Sequence, residues 1–112
     1  MPEEAGDVVQ GTLDMLILKT LALEPMHGYG IATRIEQMSR DVFRVNAGSL
    51  FVAFKRLQRA GWIQGAWRES ENNRRAKYYS LTPRGRKRLG EEKALWDKQA
   101  AAIARILAAS ER

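Results

Sequence analysis

The sequence predicts a mainly α-helical fold with one small β-hairpin and a long C-terminal helix. Four segments have the apolar content or spacing of helices, two short aromatic segments flank a polar loop near residue 70, and the last apolar repeat continues to about residue 110. The order is helix, helix, helix, hairpin and long helix. This is the arrangement of a winged helix-turn-helix domain.

The first helix is predicted from Thr12, its expected N-cap, to the residue before Pro25. This segment is apolar on nearly every side, so it needs cover on more than one face. In a chain of 112 residues we expect a second copy to supply part of that cover. Leu13 and Leu16 are therefore assigned to a dimer interface.

The second helix is predicted from Gly28 to Ser39, because apolar residues recur there at i, i+4 and i+7. Alternating apolar residues over 41–45 predict a short strand. The connection before the helix contains His27, which we interpret as a hydrogen-bonding turn residue rather than a catalytic base.

The third helix is predicted from Asn46 to Ala60, with Gly61 as the left-handed residue that ends it. Its polar face carries side chains that suit phosphates and base edges: Asn46, Ser49, Lys55, Arg56 and Arg59. The alternative is the solvated face of an ordinary core helix. Its position directly before a basic hairpin favours DNA recognition.

The hairpin is predicted to pair Trp62–Arg68 with Lys77–Leu81. Its basic side chains are Arg68, Arg74, Arg75 and Lys77, and from Arg74 to Arg88 there are seven bases and no acid. A wing of this kind can place arginines along a phosphate backbone or in a minor groove. The alternative is a charged turn that keeps the protein soluble.

The positive charge is concentrated in the middle of the chain. Residues 25–88 carry fourteen bases and four acids, whereas residues 1–24 carry one base and five acids, and the net charge is +6. A basic middle with acidic and neutral ends indicates a polyanion-binding module with separate scaffolding.

The last helix is predicted from Pro83, with Thr82 as N-cap, to about Ser110, a length of roughly 40 Å. Its apolar residues form a coiled-coil-like seam, which comprises Leu89, Trp96 and Ile103 at seven-residue spacing, with Ile106 and Leu107 beside them. A two-fold dimer is favoured over a helix that folds back on its own domain. Trp96 either packs in this seam or lines a flat pocket for an aromatic ligand.

The composition argues against an enzyme or a metal protein. The chain has no cysteine and one histidine, and no carboxylate cluster has metal-ligand spacing. We therefore expect no cofactor. The apolar stretches are too short for a bilayer span and the start does not look like a signal peptide, so we expect a cytoplasmic protein without a membrane partner.

These residues, taken together, resemble the PadR family of transcriptional regulators from about Gly11 to the end. The resemblance rests on six blocks: Gly11–Leu18, Pro25–Ile31, Val45–Leu50, Arg56-Leu57, Gly61–Ile63 and Arg75–Gly85. It departs from the family at two places. Phe51-Val52 stand where tyrosine and proline are frequent, which puts one phosphate contact in doubt, and Asn72-Asn73 replace the usual wing glycine.

The resemblance implies a homodimeric winged-helix repressor that acts on a palindromic operator in double-stranded DNA. It implies that Tyr29, Gly48 and Ser49 approach DNA, with Arg74, Arg75 and Lys77 on the wing, and that Trp96 matches a tryptophan that holds planar aromatic effectors in some short members. The expected organisation is an arm at 1–10, a winged helix-turn-helix domain at 11–82 and a dimerisation helix at 83–112. The expected function is a repressor released by a small-molecule or stress signal. The alternatives are a winged-helix protein-interaction module and a chiefly drug-binding dimeric sensor.

Overall fold

The computed structural model describes residues 10–69 and 72–111, which form four helices and three strands. The elements in chain order are α1 (Gln10–Leu23), β1 (Met26–His27), α2 (Gly28–Met38), α3 (Ala47–Arg59), β2 (Ile63–Glu69), β3 (Arg75–Leu81) and α4 (Pro83–Leu107). The mainly α fold with a hairpin and a long final helix is confirmed. The predicted arm lies outside the described residues except for Gln10, which belongs to α1.

Side chains cap three of the helices at their N-termini. His27 Nδ1 accepts a hydrogen bond from the backbone N–H of Gly30 at 3.1 Å, which confirms its role as a turn residue. Asn46 Oδ1 caps α3 and Thr82 Oγ1 caps α4 in the same way, at 3.0 Å each. The prediction for Thr12 is wrong, because α1 already includes Gln10 and an N-cap must lie outside the helix.

The sheet has the strand order β1-β3-β2 and all its pairs are antiparallel. β2 and β3 pair from Ile63↔Leu81 to Glu69↔Arg75, which confirms the hairpin. The predicted strand over 41–45 is wrong. Arg40 and Asp41 have φ of 54° and 63°, so the chain turns there, and Arg44 makes an isolated bridge.

The core lies between α1, α2, α3 and the base of the sheet. Phe54 of α3 packs on Tyr79 of β3 with a ring-centroid distance of 4.3 Å, and both side chains are buried. Leu13 also belongs to this core and is 4% exposed, so it leaves no surface for a second copy to cover. This corrects the assignment of Leu13 to a dimer interface.

α4 is held to the base of the hairpin by a close backbone approach. Gly85 is buried, and a Cβ added to it would lie 1.9 Å from the carbonyl oxygen of Trp62. Thr82 donates its backbone N–H to that same oxygen at 3.1 Å and its hydroxyl to the carbonyl of Gly61 at 2.6 Å. Gly61 has φ of +80°, which confirms the predicted left-handed residue.

Beyond Leu89, which packs partly against the core, most of α4 projects from the domain and is exposed. The resulting shape is elongated, with extents of 64 × 32 × 21 Å. Among the residues with a described structure, no helix combines the length and the apolar character required to cross a membrane.

Candidate nucleic-acid interface

The outer face of α3 is a single exposed stripe opposite the core. The buried residues of α3 are Leu50, Ala53, Phe54 and Leu57. Opposite them lie exposed residues at i, i+4, i+7 and i+11, namely Gly48, Val52, Lys55 and Arg59. We call these four residues the outer stripe. The stripe has small side chains in its first half and cationic side chains in its second half. This arrangement suits insertion of the helix into a major groove.

The start of α3 carries two further polar residues that the sequence predicted. The Asn46 side chain is engaged as the N-cap, where it accepts from the backbone N–H of Ser49. The Ser49 side chain is exposed beside the outer stripe. The N-terminal end of a helix carries a partial positive charge, so this end of α3 suits an approaching phosphate.

Arg56 was predicted to bind DNA, but the structure places its guanidinium against α1. Arg56 donates from Nη2 to Asp14 Oδ1 at 2.5 Å and from Nε to Asp14 Oδ2 at 3.2 Å. The hydrogen bond to Asp14 raises the pKa of Arg56, so the guanidinium remains charged at neutral pH. This bidentate geometry holds Arg56 beside α1, off the outer stripe.

One face of the β2–β3 hairpin serves both the core and the predicted DNA surface. At the base of the hairpin, Ile63 and Tyr79 of this face are buried. Further out on the same face Trp67 lies opposite Lys77, and Arg75 follows near the distal end. Lys77 crosses over Gly65, where a Cβ would lie 2.5 Å from its Cε. A side chain at position 65 would therefore displace Lys77.

A groove of about 280 Å³ lies between α2, α3 and the β2–β3 hairpin, which we call the wing. We call this groove the wing groove, and its walls include Tyr29, Phe51, Trp67, Arg75 and Lys77. The Tyr29 ring is 68% exposed and meets Phe51 edge-on, with centroids 6.3 Å apart. The Arg75 guanidinium lies 5.5 Å from the Trp67 ring centroid, and Arg74 next to it is exposed. The structure thus brings Tyr29, Arg75 and Lys77 together around an aromatic floor.

The remaining bases of the predicted cluster lie elsewhere. Arg68 is on the opposite face of the hairpin, 4.0 Å above the Tyr78 ring. Arg88 of α4 lies 4.8 Å from the Trp62 ring and pairs with Glu92 at 2.7 Å. Since β3 spans seven residues, or roughly 20 Å, the cations of α4 are far from the distal end of the wing.

Three residues of this surface were not assigned by sequence reasoning to a base or phosphate contact: Phe51, Val52 and Trp67. Trp67 alternates with Ile63 and Gly65, and that period of two would have placed it on the face shared with the core. Val52 is four residues after Gly48, so helical spacing alone aligns the two. The spacing in the sequence therefore indicated the position of both residues. Neither was assigned to the DNA surface, because apolar residues are ordinarily interpreted as core packing.

The residues predicted for a dimer interface occupy two surfaces. Leu16 is half-buried on α1 and lines an apolar hollow of about 220 Å³ together with Ile35, Met38 and Phe43. On α4, Leu89 is half-buried, whereas the later members of the seam are exposed: Trp96, Ile103, Ile106 and Leu107. Leu95, which was not predicted, adds a further exposed apolar side chain.

The arrangement offers cations, aromatic rings and a protruding helix. Within residues 10–69 and 72–111, no three histidine, aspartate or glutamate side chains are grouped to hold a metal ion. Burial raises the pKa of the Tyr79 hydroxyl, so this group is a neutral core phenol at physiological pH.

Solved structures of bacterial regulators have the same fold. The chain is similar to a protein from Streptococcus mutans, with 26% identity, TM-score 0.80 and coverage of 97% of this chain and 98% of that one. It is similar to a transcriptional regulator from Clostridium thermocellum, with 27% identity, TM-score 0.79 and coverage of 86% and 90%. A PadR-like transcriptional regulator from Bacillus cereus has 26% identity, TM-score 0.78 and coverage of 90% and 96%.

The sequence also matches a family profile over most of its length. Residues 17–91 match the Transcriptional regulator PadR-like family, and this range contains α2, α3, the whole wing and the start of α4. The resemblance found in the sequence is thereby confirmed. This chain belongs to the PadR-like family of transcriptional regulators, which are DNA-binding proteins and not enzymes.

Proposed function

We propose that this chain is a homodimeric repressor that binds a palindromic operator in double-stranded DNA. One observation carries the proposal, namely that Phe51, which precedes the outer-stripe residue Val52 in α3, also lines the wing groove, so the two surfaces are contiguous. In the proposed complex α3 enters the major groove, with Ser49 near the base edges. Tyr29, Arg74, Arg75 and Lys77 meet the backbone or an adjacent minor groove.

The charges of this surface lead to a measurable salt dependence. Apart from Arg68 on the opposite face of the hairpin, each subunit presents five cations on the outer stripe and the wing: Lys55, Arg59, Arg74, Arg75 and Lys77. If all ten cations of a dimer meet phosphates, the slope of log K against log salt is about −9. Arg56 does not contribute, because Asp14 already neutralises it.

The exposed seam of α4 supports the dimer. Trp96 and Ile103 lie seven residues apart on one face of α4, beside Ile106 and Leu107, and a second copy of α4 would bury them. The apolar hollow beside Leu16 offers a further surface for the partner. A two-fold pairing of this kind holds two α3 helices at a fixed separation, which is why the operator is proposed to be palindromic.

The test compares two double variants that each lose two positive charges. Fluorescence anisotropy measures binding to the DNA upstream of the chain's own gene and to random duplex over a series of salt concentrations. Arg74→Ala/Arg75→Ala weakens binding to both duplexes and lowers the salt slope by up to about 4 for the dimer. The control Lys98→Ala/Arg105→Ala changes exposed residues of α4 and leaves the slope unchanged.

Two outcomes contradict the proposal. Equal affinity for the upstream fragment and for random duplex at physiological salt removes sequence-specific repression. A stable monomer by sedimentation at working concentration removes the dimer. If the wing variants bind DNA as the parent does and instead lose a protein partner, the chain acts as a winged-helix protein-interaction module.

A small aromatic effector is the second candidate ligand, and the exposure of Trp96 within the seam favours it. Paired tryptophans at the dimer axis form a flat apolar slot for a planar cation, and its occupation signals release from DNA. Planar cations are expected to quench tryptophan fluorescence until their binding site is saturated. Trp96→Ala is expected to abolish this saturable quenching. Without such quenching, the effector role fails and DNA binding stands.

A further inference from the structure

The outer stripe of α3 changes character along its length. Gly48 and Val52 are its two members in the first half of the helix, and Lys55 and Arg59 follow in the second half. Val52 is 60% exposed and lies opposite the core. The helix therefore presents a bare backbone and one branched aliphatic side chain where the predicted reading end enters the groove.

Gly48 lets the DNA come close to Val52. A Cβ added to Gly48 would meet one side-chain atom within 4 Å, Asn46 Oδ1 at 3.1 Å, and otherwise open space. The side chain of Arg56, four residues after Val52, is turned to Asp14 and does not screen this surface. A base edge that faces Val52 thus meets its methyl groups.

Thymine is the base whose major-groove edge matches a methyl-bearing surface, because it alone carries a 5-methyl group there. Guanine, adenine and cytosine present acceptors or donors there without a methyl group, and thymine presents its O4 acceptor as well, so the methyl group alone makes the match. We infer that Val52 contacts the 5-methyl group of one thymine in each operator half-site. This inference rests on the proposed function and names the specificity determinant of that same surface.

The expected effect is small but measurable. Burial of one methyl group changes affinity about fourfold, and two half-sites together change it about fifteenfold. Uracil differs from thymine by the missing 5-methyl group and pairs identically. A thymine-to-uracil scan therefore removes the proposed contact without changing any hydrogen bond.

The experiment begins with duplexes that the wild-type protein selects from a randomised pool. Each thymine of the selected site is replaced by uracil in turn, and affinities are measured for the wild type, Val52→Ala and Val42→Ala. Val42 is also 60% exposed but lies in the turn before α3, so it controls for loss of an exposed valine. Circular dichroism confirms that both variants fold.

For the wild type and Val42→Ala, replacing one particular thymine of each half-site by uracil is expected to lower DNA affinity about fourfold. The affinity of Val52→Ala is expected not to change when that thymine is replaced. Equal uracil sensitivity of the wild type and Val52→Ala at every position overturns the inference and leaves the proposed function intact. If the wild type enriches no sequence from the pool, both the inference and the proposed function are overturned. This outcome is distinguishable from the previous one, because no selected duplex is obtained.

Discussion

A pair of glycine substitutions in α4 tests how this helix is attached to the domain. Gly85 and Gly90 are five residues apart in the same helix, and alanine is the better helix former at both positions by about 1 kcal/mol. Their surroundings differ completely. A Cβ at Gly85 would lie 1.9 Å from the carbonyl oxygen of Trp62, whereas a Cβ at Gly90 has nothing within 4 Å.

The magnitude follows from that distance. An ordinary contact begins at 3.4 Å, so Gly85→Ala requires α4 and the Trp62 backbone to separate by about 1.5 Å. The separation breaks the hydrogen bond from Thr82 N–H to the same oxygen, which is worth about 1 kcal/mol, and overpacking costs about 1–3 kcal/mol more. After the gain in helix propensity, Gly85→Ala destabilises the fold by about 1–3 kcal/mol. Gly90→Ala stabilises it by about 0.5–1 kcal/mol.

Urea denaturation followed by circular dichroism measures both variants. Protein concentration is held equal, because the proposed dimerisation would make apparent stability depend on concentration. With a urea slope of about 1–3 kcal/mol per molar, the two midpoints are expected to differ by roughly 1 M, with Gly85→Ala lower. A Gly85→Ala midpoint equal to or above that of Gly90→Ala would refute the close approach of α4 to the hairpin.

Three further predictions concern single side chains. A double-mutant cycle on Asp14 and Arg56 in urea is expected to give a coupling of about 1 kcal/mol, and a value near zero contradicts the ion pair. Because burial raises the pKa of Tyr79, the folded state holds its proton more tightly than the unfolded chain. Stability is therefore full below about pH 10 and falls as the pH rises further. Tyr79→Phe is expected to remove that part of the fall, which urea midpoints from pH 8 to pH 11 would show. Phe51→Tyr adds a hydroxyl at the wing groove and is expected to strengthen DNA binding several-fold, whereas unchanged anisotropy would separate this side chain from the phosphates.

The elements predicted correctly are those with local signals. Helical spacing and capping residues placed α3 within one residue of its observed ends, and Thr82-Pro83 marked the start of α4. Gly61 was found because a helix that ends before a strand commonly needs a left-handed residue there. These signals lie within a few residues of the feature that they predict.

The features that were missed depend on contacts between distant parts of the chain. β1 has two residues, Met26 and His27, and exists through pairing with Tyr79 and Tyr78 some fifty positions later. A segment this short has no periodicity to detect. The alternation over 41–45 predicted a strand, but within the described part of the chain this segment forms only the isolated bridge at Arg44. The ion pair of Arg56 with Asp14 spans 42 positions, so no local signal indicated that the Arg56 guanidinium lies against α1.

The pairing of β1 with β3 has a mechanical consequence. β1 pairs with β3 of the wing, and α2 begins at Gly28, directly after His27 of β1. The helix that carries Tyr29 is therefore joined to the wing through a paired strand with no intervening loop. Because of this pairing, the wing cannot rotate independently of α2. In the proposed dimer, surface changes on α3 would therefore alter the preferred DNA sequence, whereas changes in α4 would alter the distance between the two DNA-binding domains.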